Sequence, residues 1–65
     1  MIDDFCTWYA VYHGLEADKG AFLTCICGYF HTFPKRATAI LAEMKAAGLV
    51  KVKTNRVYLQ PHNDP

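Results

Sequence analysis

The sequence predicts a mostly helical α+β domain in which three α-helices precede a C-terminal two-stranded β-hairpin. Apolar residues recur at helical spacing from Ala37 to Met44, between a proline and Gly48, which are typical helix boundaries. After Gly48 apolar residues alternate with charged ones, which is the period of a β-strand. We therefore expect residues 1–60 to form a single domain and residues 61–65 to form a flexible C-terminal tail.

The first two helices are predicted from their boundary residues. The first is expected over residues 2–13, with aspartates in its first turn and Gly14 as its stop. The second is expected from about residue 19 to residue 27, with Asp18 as its N-cap and Gly28 after its last turn. Its last four residues are rich in cysteine and β-branched side chains, so a strand is the alternative there.

The third helix is predicted over residues 34–47, with Thr32 as its N-cap and Pro34 in its first turn. The stripe expected to face the core consists of Ala37, Ile40, Leu41 and Met44. The opposite side consists of Lys35, Ala39, Ala42 and Ala46. Arg36 and Glu43 flank one edge of this outer side, and Thr38 and Lys45 flank the other.

The hairpin is predicted to turn at Thr54-Asn55, with Asn55 in the left-handed conformation. This turn places Val50, Val52, Val57 and Leu59 on the core side. It also places Lys53 directly opposite Arg56, and no acidic residue lies near them in sequence. Because like charges across an antiparallel pair repel, an anionic partner would stabilise this face. Solvated edge lysines that discourage aggregation are the alternative explanation.

Composition excludes several classes of protein. With 7 Lys+Arg, 6 Asp+Glu and 52% hydrophobic residues, the chain is neither a disordered acidic tail nor a basic one. It contains no apolar run of the ~18–20 residues that a membrane span needs, and its acidic N-terminus is unlike a secretion signal. We therefore predict a cytoplasmic protein without a membrane segment, in which three cysteines do not form a disulfide framework.

Charge and aromatic side chains are unevenly distributed. Residues 1–33 contain four carboxylates and one lysine, whereas residues 34–65 contain six Lys or Arg and two carboxylates. Eight of the nine aromatic residues precede Pro34. The chain is therefore nearly neutral in total but has a basic C-terminal half.

The segment Ala37–Gln60 resembles the winged helix-turn-helix superfamily. Within it, Ile-Leu-Ala-Glu-Met-Lys-Ala-Ala-Gly-Leu-Val over residues 40–50 is similar to the recognition helix and the Gly-Leu-Val junction of that superfamily. Residues 1–33 agree with it in the order of their elements. The resemblance implies that helix 34–47 lies in the major groove of DNA and that the hairpin, or wing (residues 49–60), contacts the backbone or the minor groove.

The DNA-contacting residues follow from this resemblance. Lys35, Arg36 and Thr38 lie in the first turns of the helix, where base edges are met, and Ala39 and Ala42 permit close approach. Lys51, Lys53 and Arg56 would neutralise phosphates. Asn55 would reach the minor groove, and Lys45 completes the expected contact set.

The expected function is that of a small stand-alone DNA-binding regulator of transcription, repressor-like and of bacterial, phage or plasmid origin, acting as a homodimer on a palindromic site. It would use no cofactor and catalyse no reaction. The alternative is a protein-binding winged-helix module, such as a phage-encoded inhibitor or an assembly adaptor. The excess of large rings predicts a dimer or partner interface on the first helix, formed by Phe5, Trp8, Tyr9 and Tyr12, unless these rings fill the core.

Cysteines and histidines also invite a metal or catalytic interpretation. Cys25 and Cys27 are two residues apart, so on a helix their sulfurs point about 200° apart and do not bind one metal ion together. No sequence signature places a base beside a cysteine. We therefore predict neither a metal site nor catalytic residues, and we interpret the cysteines as small buried hydrophobic residues.

Overall fold

The computed structural model describes residues 1–60; residues 61–65, the predicted tail, lie outside the described residues. It is a mostly helical α+β fold with a C-terminal hairpin, as predicted. In chain order the elements are α1 (Ile2–His13), β1 (Glu16–Asp18), α2 (Lys19–Phe30), α3 (Pro34–Ala46), β2 (Val50–Lys53) and β3 (Arg56–Leu59). Among residues 1–60, no helix is long and apolar enough to cross a bilayer.

The strands form one antiparallel sheet in the order β1-β3-β2. The predicted hairpin register is confirmed, with Lys53 opposite Arg56 and Val50 opposite Leu59. Strand β1 was not predicted, and it pairs with β3 so that Ala17 lies opposite Val57. Its three residues alternate between exposed carboxylates and a buried alanine, so β1 adds acidic side chains to the outer face of the sheet.

The helix boundaries agree with the prediction except at the ends of α2 and α3; α3 ends at Ala46, one residue before the predicted end. Asp18 is the N-cap of α2, and its carboxylate accepts the Ala21 N–H, as expected. The predicted stop at Gly28 is wrong because α2 continues to Phe30. The two residues that follow Gly28, Tyr29 and Phe30, carry rings that pack on Phe5, and His31, with a left-handed φ of 52°, is the C-cap of the helix.

Helix α3 begins at Pro34, as predicted, but its cap is not Thr32. Phe33 is the N-cap, and its carbonyl oxygen accepts the Ala37 N–H at 2.9 Å. After the helix, Gly48 has a φ of 77°, which allows the chain to turn directly into β2. The helix therefore begins without a side-chain cap.

The hairpin turn differs from the prediction in one residue. Thr54, rather than Asn55, adopts the left-handed conformation, with a φ of 53°. The carbonyl oxygen of Asn55 accepts the N–H of Lys19 at 2.7 Å. This hydrogen bond attaches the tip of the wing to the first residue of α2.

The core lies between the helices and the inner face of the sheet. All four residues of the predicted α3 stripe are buried, and the hairpin contributes Val50, Val57 and Leu59, with Val52 half-buried. Phe5 is fully buried, and five other ring centroids lie within 6 Å of its own: those of Trp8, Tyr9, Phe22, Tyr29 and Phe30. The predicted interface on α1 is therefore corrected: Phe5 and Tyr9 are core residues and present no surface to a partner.

Candidate nucleic-acid interface

The ten residues predicted to contact DNA are all exposed to solvent. Six lie on α3, where Lys35, Ala39 and Ala42 belong to the predicted outer side and Arg36, Thr38 and Lys45 to its edges, and four lie on the hairpin. The set is Lys35, Arg36, Thr38, Ala39, Ala42, Lys45, Lys51, Lys53, Asn55 and Arg56. Exposed residues can face in different directions, so only those that share neighbours form one surface.

A groove between the end of α3 and strand β2 brings three of the lysines together. Lys45 comes from the last turn of the helix, whereas Lys51 and Lys53 come from the outer face of β2. All three line the same open depression of about 420 Å³, together with Gly48, Val50, Val52 and Gln60. The tight turn at Gly48 produces this arrangement because it folds β2 back beside the helix that precedes it.

The lysines of this surface have no intramolecular counter-charge. No carboxylate of residues 1–60 lies within 4.0 Å of the ammonium groups of Lys35, Lys45, Lys51 or Lys53. Lys35 lies in the first turn of α3, at the other end of the helix from Lys45. The end of α3 and strand β2 therefore place three positive charges around one groove, and a fourth is exposed at the start of α3.

Arg56 differs from these lysines because it forms an ion pair with Glu16 of β1. Its Nη2 lies 2.5 Å from the Glu16 carboxylate, and this hydrogen bond raises the pKa of the guanidinium above its ordinary value. The absence of an acidic residue near Arg56 in sequence was therefore misleading. The sheet brings Glu16 across from 40 residues away and relieves the repulsion between Lys53 and Arg56.

Two residues of α3 make local contacts that limit their availability. Arg36 lies 4.0 Å from the Glu43 carboxylate, a long contact between side chains that are both more than half exposed. The Thr38 hydroxyl donates to the Pro34 carbonyl oxygen at 3.1 Å, so its methyl group remains for contact with a partner. Ala39 and Ala42 leave the middle of the helix free of long side chains.

The remaining surface feature is the aromatic side of α1. Trp8 is half-buried, and its ring centroid lies 5.4 Å from that of Tyr29 and 6.0 Å from that of Tyr12. Tyr12 is 71% exposed, and Val11 beside it is 72% exposed. Of the predicted interface on α1, Trp8 and Tyr12 therefore retain accessible surface.

The thiols are dispersed rather than clustered. Cys6 is buried in the core, whereas Cys25 and Cys27 are half-buried on α2. Burial, reinforced by the nearby Asp3 carboxylate, raises the pKa of the Cys6 thiol to about 11. Within residues 1–60, no three His, Cys, Asp or Glu side chains lie close enough together to hold a metal ion.

Comparison with known proteins returned no match of any of the three kinds: no family model, no curated protein sequence and no solved structure matches this chain.

Proposed function

We propose that this protein is a small winged-helix DNA-binding protein that regulates transcription in a repressor-like manner, of bacterial, phage or plasmid type. It binds duplex DNA through helix 34–47 and wing 49–60. The observation that supports this proposal is the groove lined by Lys45, Lys51 and Lys53, none of which has a carboxylate of residues 1–60 within 4.0 Å. Positive charges held side by side on an exposed surface attract a phosphate backbone.

Helix α3 and the wing are expected to make different contacts with DNA. The outer side of α3 carries small residues between Lys35 and Lys45, so its backbone can approach base edges closely, and the methyl groups of Thr38 and the alanines suit contact with thymine. Lys51 and Lys53 on the wing neutralise phosphates and fix the orientation of the protein. Arg56, engaged by Glu16, contributes less than a free arginine would.

The dependence of duplex affinity on salt tests this proposal. If the four unpaired lysines each neutralise one phosphate, affinity for a random-sequence duplex falls about 150-fold between 50 and 200 mM salt. The double variant Lys51→Ala/Lys53→Ala retains two such contacts, so its affinity falls about 12-fold over the same range. Fluorescence anisotropy of a labelled duplex measures both slopes.

A matched variant tests whether the change in salt slope is specific to Lys51 and Lys53 or follows from any loss of charge on this face of the sheet. Glu16→Ala/Arg56→Ala removes two charged side chains from the same face without changing the net charge, so the salt slope is expected to remain that of the wild type. No binding at 50 mM salt, or equal slopes in the wild type and in Lys51→Ala/Lys53→Ala, would contradict the proposal. Selection from random duplexes then shows whether a palindromic site is preferred.

The exposed side of α1 favours a second candidate function, that of a protein-binding winged-helix module. Val11 and Tyr12 are more than two-thirds exposed and lie beside half-buried Trp8, whereas large apolar side chains are ordinarily covered. The same surface is where we propose the homodimer contact. Sedimentation of the wild type and of Tyr12→Ala up to high micromolar concentration tests the homodimer contact. A wild-type dimer that Tyr12→Ala weakens supports this contact, and a wild-type monomer excludes it.

A further inference from the structure

Strand β2 is an edge strand whose free side opens into the lysine groove. The sheet order is β1-β3-β2, so β2 pairs with β3 on one side, and no strand of residues 1–60 pairs with it on the other. The groove runs along this free side and is lined by all four residues of β2. Val50 is buried, whereas Lys51, Val52 and Lys53 retain accessible surface, so the edge is accessible to a further strand from Lys51 onward.

The alternation of hydrogen-bonded and non-hydrogen-bonded residue pairs identifies which backbone groups of β2 point away from β3. The Gln60 N–H donates to the Leu49 carbonyl oxygen at 2.9 Å, so these two residues form a hydrogen-bonded pair. Because bonded and non-bonded pairs alternate in antiparallel strands, the next bonded pairs are Lys51 with Tyr58 and Lys53 with Arg56. Val50 and Val52 therefore direct their N–H and C=O groups away from β3.

These groups alternate between donors and acceptors. A phosphate accepts hydrogen bonds from the two N–H groups but is repelled by the two carbonyl oxygens. An extended polypeptide offers donors and acceptors at the matching spacing, and among residues 1–60 no group is hydrogen-bonded to them. The backbone chemistry of this edge therefore suits a peptide strand.

The side chains restrict which strand fits. Lys51 and Lys53 are exposed on the outer face, and no carboxylate within residues 1–60 forms an ion pair with them, so a neighbouring strand with acidic residues on that face is attracted. A second copy of β2 is repelled by the same lysines. On the inner side, half-buried Val52 suits small apolar side chains. The complementary segment alternates acidic and apolar residues.

We propose that the free edge of β2 binds an extended acidic segment of a partner protein as a fourth strand of the sheet. The partner's acidic side chains lie beside Lys51 and Lys53, and its intervening apolar side chains lie beside Val52. This inference goes beyond DNA binding and does not depend on it. Since both ligands use the same lysines, such a segment competes with duplex DNA and so releases it.

A short capped peptide of alternating Glu and Val residues is the probe, and calorimetry measures its binding. Val52→Pro removes the outward N–H while the ladder to β3 stays intact, since proline is tolerated at such edge positions. Loss of one backbone hydrogen bond weakens peptide binding about tenfold. The matched variant Val52→Ala keeps the N–H and is expected to bind within about threefold of the wild type, because half-buried Val52 loses only part of a side-chain contact.

Amide exchange gives an independent measure if Val52→Pro does not fold. The peptide is expected to slow exchange at the half-buried Val52 amide of the wild type, but not at Lys51 and Lys53, which are already bonded to β3. Equal binding of a peptide of the same composition with its glutamates in one block would overturn the proposal, because charge alone then suffices. Absence of binding, or self-association of the chain through this edge, would overturn it as well. Failure of duplex binding alone affects only the proposed DNA function.

Discussion

The α1–α2 contact and the α3–β2 surface use their side chains in opposite ways. In the first, Phe5 is fully buried among the rings of both helices, so most of the aromatic excess of the N-terminal half stabilises the core. In the second, three lysines line one groove, and in the described part of the chain no carboxylate forms an ion pair with them. The contrast teaches that the basic residues are not needed to hold the fold, and this makes them the better indicator of function.

The largest effect is expected from breaking the aromatic contact. Phe5→Ala removes the ring at the centre of the cluster and is expected to lower the free energy of unfolding by about 3–5 kcal/mol, which is most of the stability of so small a domain. The matched variant Phe33→Ala alters a ring that is 81% exposed, and its effect is expected to stay within about 0.5 kcal/mol. Urea denaturation followed by circular dichroism measures both, and equal losses would contradict the assignment of Phe5 to the core.

A smaller effect on stability is expected at the start of α2, where β1 leads directly into the helix. Asp18→Ala removes the carboxylate that accepts the Ala21 N–H and is expected to cost about 1 kcal/mol. Thr32→Ala is the matched variant, since Thr32 was predicted as a cap and is not one; its effect is expected to be below about 0.5 kcal/mol. Thermal unfolding ranks the two, and a greater loss for Thr32→Ala would contradict the observed caps.

The buried thiol of Cys6 is expected to make the free energy of unfolding decrease at alkaline pH. Burial raises the pKa of Cys6 from 9.0 to about 11, so the unfolded chain releases this proton at lower pH than the folded one. The stability contributed by Cys6 is therefore full below pH 9 and declines as pH rises to 11, by up to about 1 kcal/mol after allowance for solvent screening. Urea denaturation across this range measures it. Cys6→Ala is expected to flatten the decline only in part, because the pKa of Tyr9 is also raised by burial.

The smallest change in stability is expected on the outer face of the sheet, where it sharpens the contrast between paired and unpaired cations. Glu16→Gln removes a half-exposed ion pair and is expected to cost below about 0.5 kcal/mol. It also frees Arg56, so the salt slope of duplex binding steepens by about 0.9. Asp3→Asn changes the net charge equally on α1 and leaves the slope unaltered; a steeper slope in both variants would mean that net charge, rather than Arg56, is responsible.

Local signals predicted the hairpin and the outer side of α3. The register between Lys53 and Arg56 followed from a two-residue turn and a strict alternation of side chains, both of which are contained within a dozen residues. The start of α3 at Pro34 followed from the fixed backbone angle of proline. In these segments sequence neighbours are also spatial neighbours, so the pattern determines the structure.

Long-range contacts explain what the sequence did not predict. The segment Glu16–Asp18 is too short and too polar for its sequence to predict a strand. It forms a strand only by pairing with β3. Helix α2 passes Gly28 because its following aromatic residues contact Phe5 in α1, and this packing outweighs the local preference of glycine to end a helix. The ion pair between Glu16 and Arg56 depends on the pairing of β1 with β3.

The position of β3 in the middle of the sheet governs when the protein can assemble. Every other element precedes β3 in the chain, yet both other strands hydrogen-bond to it. During synthesis the helices can form as they emerge from the ribosome, but β1 waits about 40 residues for the strand that completes it. The sheet therefore closes in one late step, and a nascent chain that stops before Arg56 leaves the acidic strand and the lysine strand without a common neighbour.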